Sequence, residues 1–568
     1  MKSSYKKYLA LALGLTLATG LSFTNNVEAF SKEVKTEQGI VSGSYDEQHQ
    51  VVEWLGVPYA QTAAGANRYR APQTLKKHKT VLNCTRKAPA NIQFNGKKVI
   101  GEEGVLTLDI VRPDTDEKNL PVMVFIHGGN NQTSNSRLWQ GNKFAKEANA
   151  VYVSIQYRLG VLGFNNLPAL QKGSALEESG NYGFLDQAAA LDWVKSNIKR
   201  FGGDENNITV SGFSAGGRDV LAMLISPAFN GKFDKMISFS GGLTVADPQL
   251  SQKVLAKKLA PLAVEDGKAT DVLTAEKWLL SDKGKDAKAV RNYLANIKAE
   301  RLAPVMAGAV IRMSAFPHLY ADGALLPKKG FDAKPVNSVP LMLLASSDEF
   351  SSFAARDAFF KARLDKINVD EETTKEFRFA NKYGSLLYGL FNGQEAAEKL
   401  YPNYKSDIYV CTFDFGHSNE VVGEAYRTRN GAFHGVFLPF ISDQAYPFTK
   451  NTDAFTTKGV QELSKTFISS IASFMRTGNP NTVLLGNTWN KWNPDYRPEM
   501  IFDANIAQTR IYSINSRLSY EGVLSEMDND HSISDASKEH IIHNVLNGRW
   551  FSARLDAKYG NPSLWSQD

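Results

Sequence analysis

Cysteine is almost missing from this chain: among 568 residues only Cys84 and Cys411 occur. A framework of disulfides is excluded, so the fold must be held by its hydrophobic core; a single pair and two free thiols both stay open. A surplus of one charge sign is missing too. The 65 basic and 59 acidic residues are interspersed and leave a net charge of +6, which gives no reason to expect nucleic acid or an anionic surface as partner. A membrane-length apolar run is absent from the N-terminus, where Leu9–Phe23 has only 15 residues. That run follows Lys2, Lys6 and Lys7 and precedes Val27-Glu28-Ala29, the layout of a secretory signal peptide over residues 1–29, cut after Ala29; an uncleaved anchor is the alternative. No cysteine lies before Cys84, so a lipid-modified cysteine at the cut is excluded. Cleavage removes three lysines and Glu28, leaving a net charge of about +4. What is abundant is apolar material, 43% of residues, enough for a large core in one domain with long insertions.

The stretch around which the rest is organised is Gly212-Phe213-Ser214-Ala215-Gly216. Short, β-branched Asn207–Val210 predicts a strand before it, and Asp219–Leu224 has helix-forming composition after it. A sharp strand-to-helix turn lifts a serine hydroxyl out of a sheet, and side chains at 212 and 216 would obstruct so tight a bend. Ser214 is therefore the candidate nucleophile. Val105–Val111 and Pro121–Ile126 predict strands, the second nearly all apolar and running into His127-Gly128-Gly129-Asn130-Asn131. A glycine-rich turn there can aim backbone N–H groups at a developing oxyanion. Ala150–Tyr157 predicts another strand, and the alanine-rich stretch around Asp186–Val194 an amphipathic helix with Trp193 and Val194 on its apolar face. Strand Lys235–Phe239 leads to Ser240; strand Val339–Ala345 ends at Ser346-Ser347-Asp348-Glu349-Phe350. A carboxylate at such a strand end can orient an imidazole, and Asp348 and Glu349 are both candidates. After strand Ile408–Phe413, His417 and the loop histidine His434 compete as general base. Residues 245–335 and 353–405 read as helical insertions.

Several of these stretches together resemble the type-B carboxylesterase/cholinesterase family of α/β-hydrolases. Val57-Pro58-Tyr59-Ala60 with Gly65–Pro72 matches an early family pattern. The strongest match runs from Tyr157-Arg158-Leu159-Gly160 through Gly180-Asn181-Tyr182-Gly183-Phe184-Leu185-Asp186-Gln187 and Phe201-Gly202-Gly203-Asp204 into the elbow. The resemblance spans about residues 33–515 and implies an α/β-hydrolase fold: a large, mixed, mostly parallel sheet, an N-terminal β-meander and helical insertions. It makes residues 30–520 one domain and leaves 521–568 as a C-terminal extension. It implies a serine carboxylesterase that forms an acyl-enzyme, with Ser214, Glu349 and His434 as triad, in the superfamily's chain order. It assigns the oxyanion donors to Gly129, Asn130 and Ala215 and a hydrogen bond from Ser240 to the acid. His127 is expected to order its loop, and Asp322 to be structural. No metal and no organic cofactor is implied.

Departures bear on substrate and on activity. Asn130 and Phe350 stand where the family has glycine; asparagine tolerates left-handed angles better than most residues. Phe213, not glutamate, precedes Ser214, and no tryptophan lies between Trp54 and Trp139, where cholinesterases stack choline. A quaternary ammonium needs an aromatic face in a negative field, so a small neutral acyl or aryl ester, lying against Phe213, is the expected substrate. The alternatives are a binding or adhesion ectodomain with an impaired site, and a lipase for longer acyl chains. In the extension, Asp528, Asp530, Ser532 and Glu539 have partial calcium-loop spacing, but Ile533 stands where glycine is needed; an acidic turn capping a helix near Ala536 is expected instead.

Overall fold

The computed structural model describes residues 30–562 except 309, 314 and 443–451; the expected signal peptide lies outside the described residues. Its centre is an 11-stranded sheet. In chain order the strands are β1 (Ser44–Asp46), β2 (Val51–Pro58), β3 (Thr107–Pro113), β4 (Leu120–Ile126), β5 (Val151–Ile155), β6 (Gly203–Phe213), β7 (Lys235–Phe239), β8 (Leu341–Ser346), β9 (Ile408–Phe413), β10 (Pro498–Ala504) and β11 (Thr509–Asn515). Across the sheet they run β11-β10-β9-β8-β7-β6-β4-β5-β3-β2-β1. From β10 to β5 all neighbours are parallel; β11 at one edge and β3, β2 and β1 at the other are antiparallel. The meander of the N-terminus thus forms the antiparallel edge, with a small separate sheet from Glu33–Lys35, Ile40–Ser42 and Leu82–Asn83.

Strands β4, β5 and β8 are buried along their whole length, as parallel strands covered on both faces must be. Helix α1 (Tyr182–Asn197) buries Trp193 and Val194 as expected but is more enclosed than an amphipathic surface helix. Its buried positions also include Tyr182, Leu185, Ala190, Asp186 and Gln187, and its exposed polar positions are confined to a narrow strip at Asp192 and Ser196. Alanine suits a helix enclosed by neighbours as well as one lying on a surface, so composition alone did not separate the two. Asp186 is tolerated there because Arg158 grips it with two nitrogens, Nη2 at 2.7 Å and Nε at 2.8 Å, on a pair only 0–2% exposed.

Helix α2 (Ala215–Met223) follows β6, α3 (Glu371–Asn392) contacts β8, and α4 (Lys458–Thr477) packs under β10, β6 and β4. The C-terminal extension is no loose tail. Helix α5 (Tyr520–Asp528) lies on α3, and Tyr520, Val523, Met527, Ile541, Trp550 and Phe551 share a core with Phe350, Tyr383 and Tyr388. Asp530 ties it to α3 by accepting from Tyr383, while Asp528 accepts from Lys558 and Tyr559 within the extension. The expected acidic cap is corrected, since the side chain of Ser534 caps the helix at Asp535–His540. Cys84 and Cys411 are both buried free thiols, in different core clusters.

Candidate active site

The parallel strands deliver the candidate residues to one end of the sheet, the carboxyl end, where loops of open α/β sheets form sites. Ser214 follows β6 directly with φ 58° and ψ −116°, a strained conformation for a residue with a side chain. The neighbourhood fixes it: Ser214 N–H donates to Phe239 O at 2.8 Å on β7. A Cβ at 212 would strike the carbonyl of Gly216, and one at 216 the carbonyl of Ile126 on β4, so the two glycines let three backbone segments meet.

Glu349, three residues past β8, is fully buried and takes three hydrogen bonds. Its Oε1 accepts from Ser240 Oγ at 2.5 Å and from Ser346 N–H at 2.8 Å, and Oε2 pairs with His434 Nδ1. His434 is 4% exposed, and its Nε2 is buried with no hydrogen-bond partner. Its ring is clamped by Phe213 at 4.7 Å, Phe353 at 5.1 Å and Tyr388 at 5.7 Å between centroids. This aromatic packing holds the imidazole of the loop histidine in place. Asp348 points the other way, to Asn381 Nδ2 (2.8 Å), Ala432 N–H (2.9 Å) and His417 (3.0 Å). Of the two competing carboxylates and two competing histidines, Glu349 and His434 are thus the pair brought to the serine. Phe350 is accommodated without strain. Its φ of −88° needs no glycine, and Gly384 of α3 leaves the space its ring fills.

The loop after β4 turns through three successive left-handed residues: Gly129 (φ 92°), Asn130 (φ 54°) and Asn131 (φ 55°). Successive N–H groups in such a turn converge on an anion. The N–H groups of Gly129 and Asn130 make no backbone hydrogen bond among the described residues, and Ala215 begins α2, where N–H groups lack intrahelical partners. His127 is buried and stacks on Tyr157 at 4.5 Å; burial pushes its pKa down to about 4, so it stays neutral. Within this loop, where His127 was expected to act, Tyr157 Oη lies 2.8 Å from both His127 O and Asn131 Oδ1, and His127 Nδ1 lies 2.9 Å from Gly128 O. Asp322 likewise caps its own turn through the N–H groups of Ala324 and Leu325.

Ser214, His434, Gly129, Asn130 and Phe213 line one cavity of ≈ 500 Å³, walled further by apolar Phe94, Leu138, Val310, Ile311 and Phe353. Sequence reasoning passed over Tyr388, Phe353 and Arg218. The first two come from an insertion whose path to the site only the fold reveals; Arg218, a basic residue in an otherwise small and apolar first turn of the helix after the elbow, was a readable signal. Among the described residues no set of three or more His, Cys, Asp or Glu side chains could hold a metal ion, and no helix is long and apolar enough to cross a membrane.

Comparison with known proteins agrees with this geometry. The profile of the "Carboxylesterase family" matches residues 31–405. The chain is 28% identical over 504 residues to para-nitrobenzyl esterase of Bacillus subtilis, covering 83% of this chain and 95% of that one. It is 30% identical over 502 residues to liver carboxylesterase of Sus scrofa, covering 79% and 85%. A solved thermophilic PNB esterase superposes with a TM-score of 0.62 at 27% identity, over 85% of this chain and 97% of that one. With fold, site and relatives in agreement, this chain belongs to the carboxylesterase family and is an α/β-hydrolase that hydrolyses carboxylic esters.

Proposed function

We propose that the protein is a secreted serine carboxylesterase acting on small neutral esters through an acyl-enzyme. One observation carries this reading: a buried imidazole bonded to Glu349 through Nδ1, with Nε2 unbonded, shares a cavity with a strained serine. Ser214 Oγ attacks the ester carbonyl as His434 Nε2 takes its proton, and Glu349 stabilises the imidazolium. The N–H groups of Gly129, Asn130 and Ala215 hold the oxyanion. Collapse breaks the C–O bond to the alcohol, which leaves with the proton from His434. Water then attacks the acyl-Ser214 ester and gives its proton to His434, which passes it to Ser214 Oγ as the acyl C–O bond breaks, releasing the acid and the free serine.

The lining supports neutral substrates. Among the described residues on the cavity wall the one permanently charged side chain is Arg356, and no carboxylate of that lining faces a would-be quaternary ammonium. A volume of ≈ 500 Å³ suits acyl and alcohol groups of modest size. Secretion rests on the Lys2–Ala29 pattern; the N-terminal residue of exported protein tests it, with Phe30 expected. Hydrolysis of p-nitrophenyl acetate, butyrate and palmitate, with p-nitrobenzyl esters as a further series, tests the activity. An initial burst with the acetate and turnover fastest on short chains is expected. Fastest turnover on palmitate would favour a lipase, and no turnover an ectodomain that only binds.

A further inference from the structure

We propose that Arg218 is a positioning residue for the oxyanion hole, holding the peptide of Asn130 in place through the asparagine side chain. The inference rests on the esterase reading above and concerns the residue at which this chain departs from its family's glycines. Arg218 is fully buried, one helical turn beyond Ser214, and its N–H donates to Ser214 O at 3.0 Å. Its Nη2 donates to Asn130 Oδ1 at 2.6 Å. No ion pair among the described residues includes it: Nε and Nη1 make no hydrogen bond, and the neutral Tyr388 hydroxyl is another polar group close to the guanidinium. The adjacent carboxylate, Asp219, is occupied by Asn131 Nδ2 (2.8 Å) and Gln187 Nε2 (2.6 Å).

A guanidinium without a carboxylate is expensive to bury, so something must hold it there. On one side that is the face of Trp550, 4.4 Å from its carbon to the ring centre, contributed by the C-terminal extension. On the other it is Asn130 Oδ1. The result is two rungs between two elements: Arg218 to Asn130, and Asp219 to Asn131. They join the loop that carries two of the oxyanion donors to the helix that carries the third. A glycine at 130 could adopt the same left-handed angles but would give Arg218 nothing to hold. The asparagine that looks like damage to the hole is on this account one half of a fastening, and Arg218 is the other.

The test is a double-mutant cycle on the full-length protein, reading kcat and KM for p-nitrophenyl acetate. Since removing an oxyanion donor costs about 10²–10³ in kcat, loosening one should cost about tenfold with KM little changed. Arg218→Met and Asn130→Gly should each lower kcat by about tenfold, and the double variant no further than either single one. Losses that multiply to about a hundredfold would overturn the proposal, because Arg218 would then act by charge or packing independent of Asn130. Unchanged kcat in Arg218→Met would overturn it as well. If Arg218→Met does not fold, the Asn130 pair decides: Asn130→Asp keeps an acceptor for Arg218 and should lose clearly less kcat than the about tenfold loss of Asn130→Gly. Equal losses in both would contradict the fastening. Failure of the esterase reading is distinct, since wild type itself would then show no turnover.

Discussion

Two histidine–carboxylate–serine sets lie side by side at the ends of β8 and β9, and they are built to opposite purposes. In one, His434 is buried, carries Glu349 on Nδ1 and leaves Nε2 unbonded toward the cavity with Ser214. In the other, His417 is 39% exposed, and its Nε2 meets Asp348 at 3.0 Å, Ser347 Oγ at 3.1 Å and Asp414 at 3.2 Å. Two carboxylates push the pKa of His417 up to about 10, so it stands as a fixed cation tying β8 to β9 and has no basic nitrogen to offer. The residue types are the same. What separates a base from a strut is whether one nitrogen is left free and aimed at a nucleophile. Asp348 and Glu349, neighbours in sequence, divide between the two sets because a turn sends successive side chains to opposite sides.

The comparison breaks most visibly at the nucleophile. Ser214→Ala and His434→Ala should each lower kcat by about 10⁵–10⁶-fold in p-nitrophenyl acetate hydrolysis, since such residues act as a unit. Glu349→Gln, which spoils tautomer and imidazolium together, should cost about 10³–10⁴-fold. Asp348→Asn should stay within about tenfold, as it touches the base only through the loop it pins; a loss exceeding that of Glu349→Gln would reverse the assignment of the acid. Phe350→Ala opens a cavity against Gly384 and Phe551 and should cost about 3–5 kcal/mol of stability in denaturant melts, while the remaining folded enzyme keeps its kcat.

The smallest effect sharpens the comparison by pH. A histidine whose pKa is raised on folding gives stability that is whole below about pH 6.5 and is lost as pH rises through about 10. His417→Ala should therefore lower the melting temperature at pH 6, by on the order of 1–2 °C given the protein's size and the partial exposure of the cluster. The difference should vanish above pH 10, with kcat unchanged throughout. An equal deficit at both pH values would mean that His417 contributes packing and not charge.

Much of the site was legible because it is local. The elbow, the glycine-rich turn and the strand-end carboxylates are short patterns whose backbone geometry their own residues dictate: Gly212 and Gly216 permit the bend, and Asn130 takes the left-handed angle that asparagine tolerates. The choice of Glu349 over Asp348 came from the resemblance, because spacing alone supports either. What escaped the sequence depends on contacts between distant segments. Tyr388 and Phe353 reach His434 from an insertion, and Trp550 reaches Arg218 from the extension, with no local pattern to announce them. The burial of α1 on nearly all sides escaped for the same reason, since an alanine-rich helix does not say what will cover it.

Of the two neighbouring serine–histidine–carboxylate sets, the proposed function makes only the buried one catalytic. Mass mapping of a fluorophosphonate adduct on the full-length protein tests it most directly. A single adduct on the peptide containing Ser214, lost in His434→Ala and kept in His417→Ala, is the expected result. An adduct on Ser347, or one that survives His434→Ala and disappears with His417→Ala, would contradict the account.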